Sequence, residues 1–289
     1  MSLPAVGFIG VGMMGAGMAG CLLSAGHPVT LLAHRNRAPL TPLLDRGARE
    51  APDAVTLLDG CDVLFTCLPD AEAVAGLADT LLPHTRPGQI WIDTTTSRPE
   101  TSATLAHRLD AAGAVFSDAP VTGGPKQAQD GALTSLVGCA AAQFDTIASL
   151  VGTYSTAIRR FGDAGTGHAA KLLNNLVTQG TMVLLSDAFQ AAGRLGVDPR
   201  ALYEVMMTGA ARSGTLQKAV PPALDGDYTG ARFSISNAAK DLGYAEALLA
   251  DALPGRADVA GALAARLGAL AAQGRGAEFV TTLFDPNRP

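Results

Sequence analysis

Lys171 and Asn175 stand four residues apart in the segment Gly165-Thr166-Gly167-His168-Ala169-Ala170-Lys171-Leu172-Leu173-Asn174-Asn175-Leu176-Val177. From residue 166 to about residue 195 the chain has no proline and is rich in Ala, Leu, Val and Met, which predicts one long helix. Residues four apart share a helix face, so the ammonium and the amide point the same way, with Asn174 and Thr178 beside them. Most helical lysines only solvate a surface, and that alternative stays open for Lys171 on this segment alone. Against it, the same face continues as Met182, Leu185 and Phe189. The stretch Met182-Val183-Leu184-Leu185 is apolar all round, the mark of a helix buried in a core or an interface. A lysine and an amide at the polar end of such a helix can line a cleft and move a proton.

A second set of residues is built to hold phosphate. Gly10-Val11-Gly12-Met13-Met14-Gly15 follows an apolar strand directly and opens a helix, the setting in which GxGxxG binds a dinucleotide. The first glycine permits the tight turn, the second lets backbone approach the pyrophosphate, and the third allows close helix packing. The helix N-terminus then faces the phosphates. An NAD site usually carries an acid about 20 residues on, at the end of the second strand. Here that end reads Leu31-Leu32-Ala33-His34-Arg35-Asn36-Arg37, with no acid before Asp45. An imidazole at His34 and guanidiniums at Arg35 and Arg37 suit a 2′-phosphate, because an arginine fork pairs with phosphate oxygens. The expected cofactor is therefore NADP(H) rather than NAD(H). If Arg37 is merely solvated, Arg35 carries that role. A third segment, Asp118-Ala119-Pro120-Val121-Thr122-Gly123-Gly124-Pro125, places a hydroxyl before two glycines, whose backbone N–H groups can form a nest for a carboxylate. Read alone, it serves equally as a structural turn.

These groups need a scaffold, and the first half of the chain alternates strand and helix. Residues 6–10, 29–33, 63–67, 90–93, 115–117 and 133–137 read as strands, and residues 13–25, 39–46, 71–80, 99–112 and 140–151 as helices. Such alternation predicts an α/β fold, a Rossmann domain whose mostly parallel sheet is covered on both faces. The pattern breaks near Phe161-Gly162-Asp163-Ala164-Gly165. Beyond it only helices are read: the long one, then residues 199–208 with Asp198 as N-cap and Pro199 at the first position, 237–252 and 256–272. The expected domains are residues 1–162 for the dinucleotide and residues 163–289, all-helical and opening with a long interdomain helix, for substrate and dimerisation.

Together these segments resemble the β-hydroxyacid dehydrogenase family, which includes 3-hydroxyisobutyrate dehydrogenases and tartronate, succinic and glyoxylic semialdehyde reductases. The resemblance covers roughly residues 6 to 279 and rests on blocks in the right order, beginning with GFIGVGMMGAGMA. Cys67-Leu68-Pro69-Asp70 is similar to the family's loop beside the nicotinamide ribose, which implies contacts from Leu68 and Pro69. Asp93-Thr94-Thr95-Thr96 followed by Pro99 resembles its Asp-x-Ser-Thr motif, implying that Thr96 touches the cofactor. DAPVTGG resembles the substrate carboxylate loop, implying Thr122, Gly123 and Gly124 as its donors, with Thr122 where the family usually has serine. GTGHAAKLLNN resembles the catalytic helix, implying Lys171 as the proton-transfer residue and Asn175 as its substrate-orienting partner. Phe233 and Lys240-Asp241-Leu242 resemble a last motif whose lysine, here Lys240, reaches the cofactor. The family often has Asn where Cys21 stands and Gly where Gln127 stands, and its Asp-x-Ser is blurred into Glu278-Phe279-Val280-Thr281. These departures keep every catalytic group but block transfer of a substrate from any one member; Arg212, Ser213 and Phe233 are candidates for setting it.

The implied reaction interconverts a small 3-hydroxy or 4-hydroxy carboxylic acid and its semialdehyde. Lys171 accepts the hydroxyl proton in oxidation and donates it in reduction. A lysine near its ordinary pKa of about 10.4 is a poor base at neutral pH. Burial or a neighbouring cation such as Lys240 must lower it for oxidation, whereas reduction suits the protonated form. Reduction with NADPH is the expected direction. The nearest rival is an imine reductase on the same fold, which generally has Asp or Tyr in place of Lys171. A non-catalytic NADP(H)-binding protein is the other, opposed by the joint presence of Lys171, Asn175, Thr122 and Lys240.

Composition narrows the remaining classes. At 289 residues, with 48% hydrophobic and 16% charged residues, the chain suits two domains and is not a disordered one. A net charge of −5 and no basic run argue against nucleic acid. Residues 5–26 are apolar, but seven glycines interrupt them and no basic residue precedes, so neither a membrane span nor a signal peptide is expected. Cys21, Cys61, Cys67 and Cys139 lack metal or CxxC spacing and read as buried free thiols in a cytoplasmic protein, with no metal site. The apolar helical half predicts a homodimer or homotetramer formed through it, with the cleft between the domains.

Overall fold

The computed structural model describes residues 3–32 and 36–288. The chain divides into two compact units, with the division after Lys171. The first unit runs β1 (Val6–Ile9), α1 (Gly15–Ser24), β2 (Val29–Leu32), α2 (Thr41–Leu44), β3 (Arg49–Ala51), α3 (Ala54–Asp59), β4 (Val63–Thr66), α4 (Ala71–Leu81), β5 (Ile90–Asp93) and α5 (Pro99–Ala111). It continues as β6 (Val115–Asp118), β7 (Val121–Thr122), α6 (Pro125–Asp130), β8 (Leu133–Gly138), α7 (Phe144–Val151), β9 (Ser155–Gly162) and the start of α8 (Thr166–Arg194). The strand order is β3-β2-β1-β4-β5-β6-β8-β7, with β9 on the far side of β8. The six strands from β3 to β6 are parallel, and β8 pairs antiparallel with β6 and β7.

The period of two along each strand sorts the core into two layers. Val6, Phe8, Val63 and Phe65 face one layer, with Met18 and Leu22 of α1, Leu43 of α2, Ala128 of α6 and Ile147 of α7. Ile9, Leu64, Trp91 and Phe116 face the other, with Leu57 of α3, Val74 and Ala78 of α4, and Leu105 and Leu109 of α5. A parallel sheet buried on both faces is what the near-continuous apolar runs require. Asp53 caps α3 and Asp70 caps α4, accepting from Thr56 N at 2.7 Å and Ala73 N at 2.8 Å.

The second unit holds the rest of α8 with α9 (Pro199–Thr208), α10 (Gly214–Leu224), α11 (Ile235–Ala252) and α12 (Asp258–Leu270). Met182, Leu185 and Phe189 of α8 join its core with Leu216, Val220, Ile235, Leu242, Leu267 and Phe284, as the apolar face of the long helix predicts. Asp198 caps α9, accepting from Arg200 N at 2.9 Å, and Pro199 opens that helix.

The sheet ends at Gly162, where the sequence places the domain break, yet the compact unit extends through Lys171. The first turn of α8 is locked onto the sheet. A Cβ on Gly167 would run into the Leu136 carbonyl, the Asp118 carboxylate and Gly138 N. Among the described residues, no helix is long and apolar enough to cross a membrane. All four cysteines are free thiols; Cys61 and Cys139 are buried, whereas Cys21 and Cys67 are only half-buried.

Candidate active site

The first candidate feature lies at the carboxyl ends of β1, β4 and β5, where the strand order reverses about β1, the position at which open α/β sheets bind ligands. Gly10 has φ +102°, and a Cβ there would strike the Cys67 carbonyl, so the turn after β1 admits only glycine. A Cβ on Gly15 would strike the Gly10 carbonyl, so α1 starts hard against the loop. By contrast, a Cβ on Gly12 would meet nothing within 4 Å, which leaves that side of the loop able to receive a pyrophosphate. No side chain caps α1, and its first turn carries no acid. Uncapped N-terminal amides and an open glycine cradle fit a dinucleotide. Val11 is buried, Met14 packs against the core, and Met13 is 62% exposed beside the cradle.

His34 and Arg35 lie outside the described residues. Arg37 is placed, and its guanidinium makes a bidentate pair with Glu50 of β3 at 2.6 and 2.7 Å. That pairing holds Arg37 in its charged state. This arginine lies at the surface, its guanidinium held by an acid on the neighbouring strand. Leu31 pairs in register with Glu50, which explains how β3 delivers it.

Two further loops meet at Asp93. Its Oδ1 accepts from the Thr66 hydroxyl at 2.8 Å and from Thr95 N at 3.1 Å. Leu68 N donates to the Thr95 hydroxyl at 2.9 Å, and Trp91 Nε1 donates to the Thr66 hydroxyl at 2.9 Å. Leu68, Pro69 and Thr96 therefore sit on loops stitched together through one buried carboxylate.

Asp118 closes β6 opposite Asp93 in register and is likewise fully buried. It accepts from Gly165 N and His168 N, both at 2.7 Å, and so caps the N-terminus of α8 from another strand. Burial pushes its carboxyl above the usual carboxylate range, while the Gly165 and His168 amides that donate to it pull it back. The same residue opens the segment that ends in Thr122, Gly123 and Gly124. One carboxylate thus ties the candidate substrate loop to the turn of helix carrying Lys171, which is only 9% exposed. A solvated surface role is excluded for that lysine.

The carboxylate nest differs from expectation at one point. Gly124 N donates to Gln127 Oε1 at 2.9 Å, so this amide is already engaged. Gln127 stands at the third position of α6 and reaches back to the cap, half of a capping box. Thr122, half-buried on β7, and Gly123, exposed with φ +123°, carry what remains of the nest.

In the helical unit, Asn175 is buried and donates from Nδ2 to Asp241 Oδ2 at 2.7 Å, while Asn174 Nδ2 donates to Asn175 Oδ1 at 3.2 Å. Lys240 lies 3.1 Å from Asp241 Oδ1 and 5.4 Å from the Tyr244 ring centre. Asp241 therefore anchors both the expected orienting amide and the expected cofactor-facing lysine. Of the specificity candidates, the Ser213 hydroxyl accepts from Leu216 N at 3.1 Å and is a helix cap, Arg212 is exposed, and Phe233 packs on the helical core.

Sequence reasoning assigned no role to Asp118, His168, Ser102, Glu50 or Asp241. For Asp93 and Asp118 a signal was present: each is an acid ending an apolar strand, in WID and FSD. A buried strand tolerates a charge at its end only where donors await it.

Comparison with known proteins agrees with the fold. Residues 5–162 match the model described as the NAD binding domain of 6-phosphogluconate dehydrogenase. Residues 165–283 match the model described as NAD-binding of NADP-dependent 3-hydroxyisobutyrate dehydrogenase. The mitochondrial 3-hydroxyisobutyrate dehydrogenase of Bos taurus is 35% identical over 252 residues, 83% of this chain and 74% of that protein. Among solved structures, the Mycobacterium tuberculosis 3-hydroxyisobutyrate dehydrogenase with L-serine superposes with a TM-score of 0.88 at 25% identity, covering 99% of this chain and 100% of that one. Psf3 in complex with NADP+ and 2-OPP gives a TM-score of 0.83 at 26% identity, covering 97% and 99%.

Proposed function

The chain belongs to the β-hydroxyacid dehydrogenase family, and on that premise we propose that it interconverts a small 3-hydroxy or 4-hydroxy carboxylic acid and its semialdehyde, using NADP(H), with Lys171 as general acid and base. It is an oxidoreductase acting on CH–OH groups. The observation that carries the proton-transfer reading is the double duty of Asp118, which starts the Thr122 loop and caps the helix turn that bears buried Lys171.

When bound, the nicotinamide supplies or takes up the hydride. The chain's own residues do the rest. The Thr122 hydroxyl and the Gly123 amide hold the substrate carboxylate, which fixes the reacting carbon relative to Lys171. In reduction the Lys171 ammonium donates a proton to the oxygen as negative charge develops there; in oxidation its neutral amine takes that proton away. Asn175, steadied by Asp241, orients the substrate oxygen. Burial of Lys171 excludes competing water from the proton transfer.

The choice of NADP(H) rests on the absence of an acid at the end of β2 and on Arg35 and Arg37, with the description of the second matching model in support. Assembly through the helical unit is part of the same reading, supported by Val177 and Leu184 of α8, which are 67% and 68% exposed. Lys171→Ala tests the mechanism: kcat should fall by about 10²–10⁴, the usual worth of general acid–base catalysis. NADPH binding should be unchanged. A kcat within a few-fold of the parent refutes the role. Assays of three- and four-carbon semialdehydes beside cyclic imines separate this reading from an imine reductase, which Lys171 itself opposes.

A further inference from the structure

His168 begins the catalytic helix, is fully buried, and plays no part in the proton transfer proposed above. Its Nδ1 lies 2.7 Å from the Ser102 hydroxyl of α5. Its Nε2 faces Asp93 Oδ2 at 3.9 Å, and neither atom makes a hydrogen bond among the described residues. Asp118 Oδ2 stands 4.0 Å from Nδ1 and completes the ring of polar groups around the imidazole. A buried donor and a buried acceptor facing each other unbonded are each costly, and in native proteins such groups are few and call for an explanation. A hydrogen bond of about 2.9 Å would close this 3.9 Å gap with a movement of about 1 Å.

The two sides of the gap belong to different machinery. Asp93 holds the loops of Leu68 and Thr96 through Thr66 and Thr95. His168 stands three residues before Lys171, on the same helix face. Resting on the reading that these loops hold a dinucleotide and Lys171 moves the proton, we infer that His168 is a positioning residue that couples cofactor binding to the seating of Lys171. Dinucleotide drawn against the Leu68 and Thr96 loops carries Asp93 Oδ2 to His168 Nε2–H. The imidazole, accepting from Ser102 at Nδ1, then fixes the first turn of α8. The carboxylate demands a donor at Nε2, so neighbours assign the tautomer: Ser102 donates, Nδ1 accepts, Nε2 carries the proton.

The test is nitrogen NMR of the full-length protein labelled with ¹⁵N-histidine. It has five histidines, so the His168 pair is assigned by its loss in His168→Gln. If that variant fails to fold, replacing His27, His34, His84 and His107 one at a time makes the assignment by elimination. NADP+ alone, at saturation, should shift the His168 Nε2 resonance to a hydrogen-bonded N–H with Nδ1 unprotonated. In parallel, NADP+ affinity is measured for Asp93→Asn, His168→Gln and the double variant. Each single change should weaken binding several-fold, and the double should be weaker than the parent by no more than the worse single, because either change already removes the shared Asp93–His168 interaction. A purely structural histidine gives effects that multiply and a resonance indifferent to cofactor. His168 signals unmoved while NADP+ demonstrably binds overturn the coupling and leave the cofactor reading standing. Failure to bind any nicotinamide dinucleotide overturns both.

Discussion

Asp118→Ala should be among the most damaging single substitutions in the sheet unit, and the structure says by how much. The carboxylate receives Gly165 N and His168 N at 2.7 Å each, and the side chain is fully buried. Water cannot replace it. Two orphaned buried donors cost about 1–3 kcal/mol each, and the lost N-cap of about 0.5–2 is the same loss seen from the helix, so about 3–5 kcal/mol is expected. Asp118→Asn keeps one acceptor but turns an NH2 toward the second amide, which halves the loss to about 2 kcal/mol. Trp91 is the single tryptophan and is buried on β5, so its fluorescence reports unfolding of the sheet unit. With a urea m-value of roughly 2–3 kcal/mol/M, the alanine variant should unfold at about 1.5 M less urea. At a temperature where both proteins are folded, kcat should fall as well, because the turn that presents Lys171 has lost its anchor. A stability loss under about 1 kcal/mol would refute the reasoning, since it would mean that the two amides find other partners.

Three further outcomes follow from the geometry. Glu50→Gln releases Arg37 from a bidentate pair at the surface, where water screens such pairs and keeps them weak, so KM for NADPH should drop by up to about fivefold with KM for NADH unchanged. An equal change for both dinucleotides would show that Arg37 does not read the 2′-phosphate. Asp241→Asn weakens a charge-assisted bond to Asn175, and far-UV circular dichroism should register a loss of about 1–2 kcal/mol; a fall in kcat larger than any rise in the KM for NADPH should accompany it. Burial pushes the Cys61 thiol up to about 11 from 9.0. Its folded pKa is raised, so its contribution is fully present below about pH 9 and is lost as pH climbs through about 11, amounting to about 2–3 kcal/mol. Urea titrations at pH 8 and 11 should show a steeper decline in the parent than in Cys61→Val, and parallel declines would exclude Cys61 as the source.

The parts legible in the sequence were those with a period or a motif of their own. Val6, Phe8 and Phe65 lie in strands apolar enough to declare themselves, and α8 carries its apolar face for 29 residues without proline. Short or contrary elements were not legible. β3 is the three residues Arg-Glu-Ala at a sheet edge, β9 exposes much of its length and carries Arg159 and Arg160, and α10 contains Pro221 and Pro222. Edge strands are charged to discourage pairing with other chains, which erases the apolar pattern. The site divides in the same way. Gly10, Gly12 and Lys171 carry local signatures, whereas the partnerships of Asp118 with α8, Arg37 with Glu50 and Gly124 with Gln127 arise only once the chain is folded. Gln127 is instructive: its departure from the usual glycine was visible, but not that its side chain would take the Gly124 amide.

The division of the molecule inside α8 bears on how such chains are cut and recombined. A helix of 29 residues is about 43 Å long at about 1.5 Å per residue, and its opening turns are completed by a carboxylate from β6. A nucleotide-binding module excised at Gly162 would abandon Asp118 with its amides missing and leave Lys171 behind. The portable module ends downstream of Lys171, in mid-helix, with enough further turns to remain helical. A chimera that grafts a foreign helical half onto this sheet should be joined there, so that Lys171 travels with the parent that supplies the glycine cradle. Substrate preference would then be exchanged as a separate cassette.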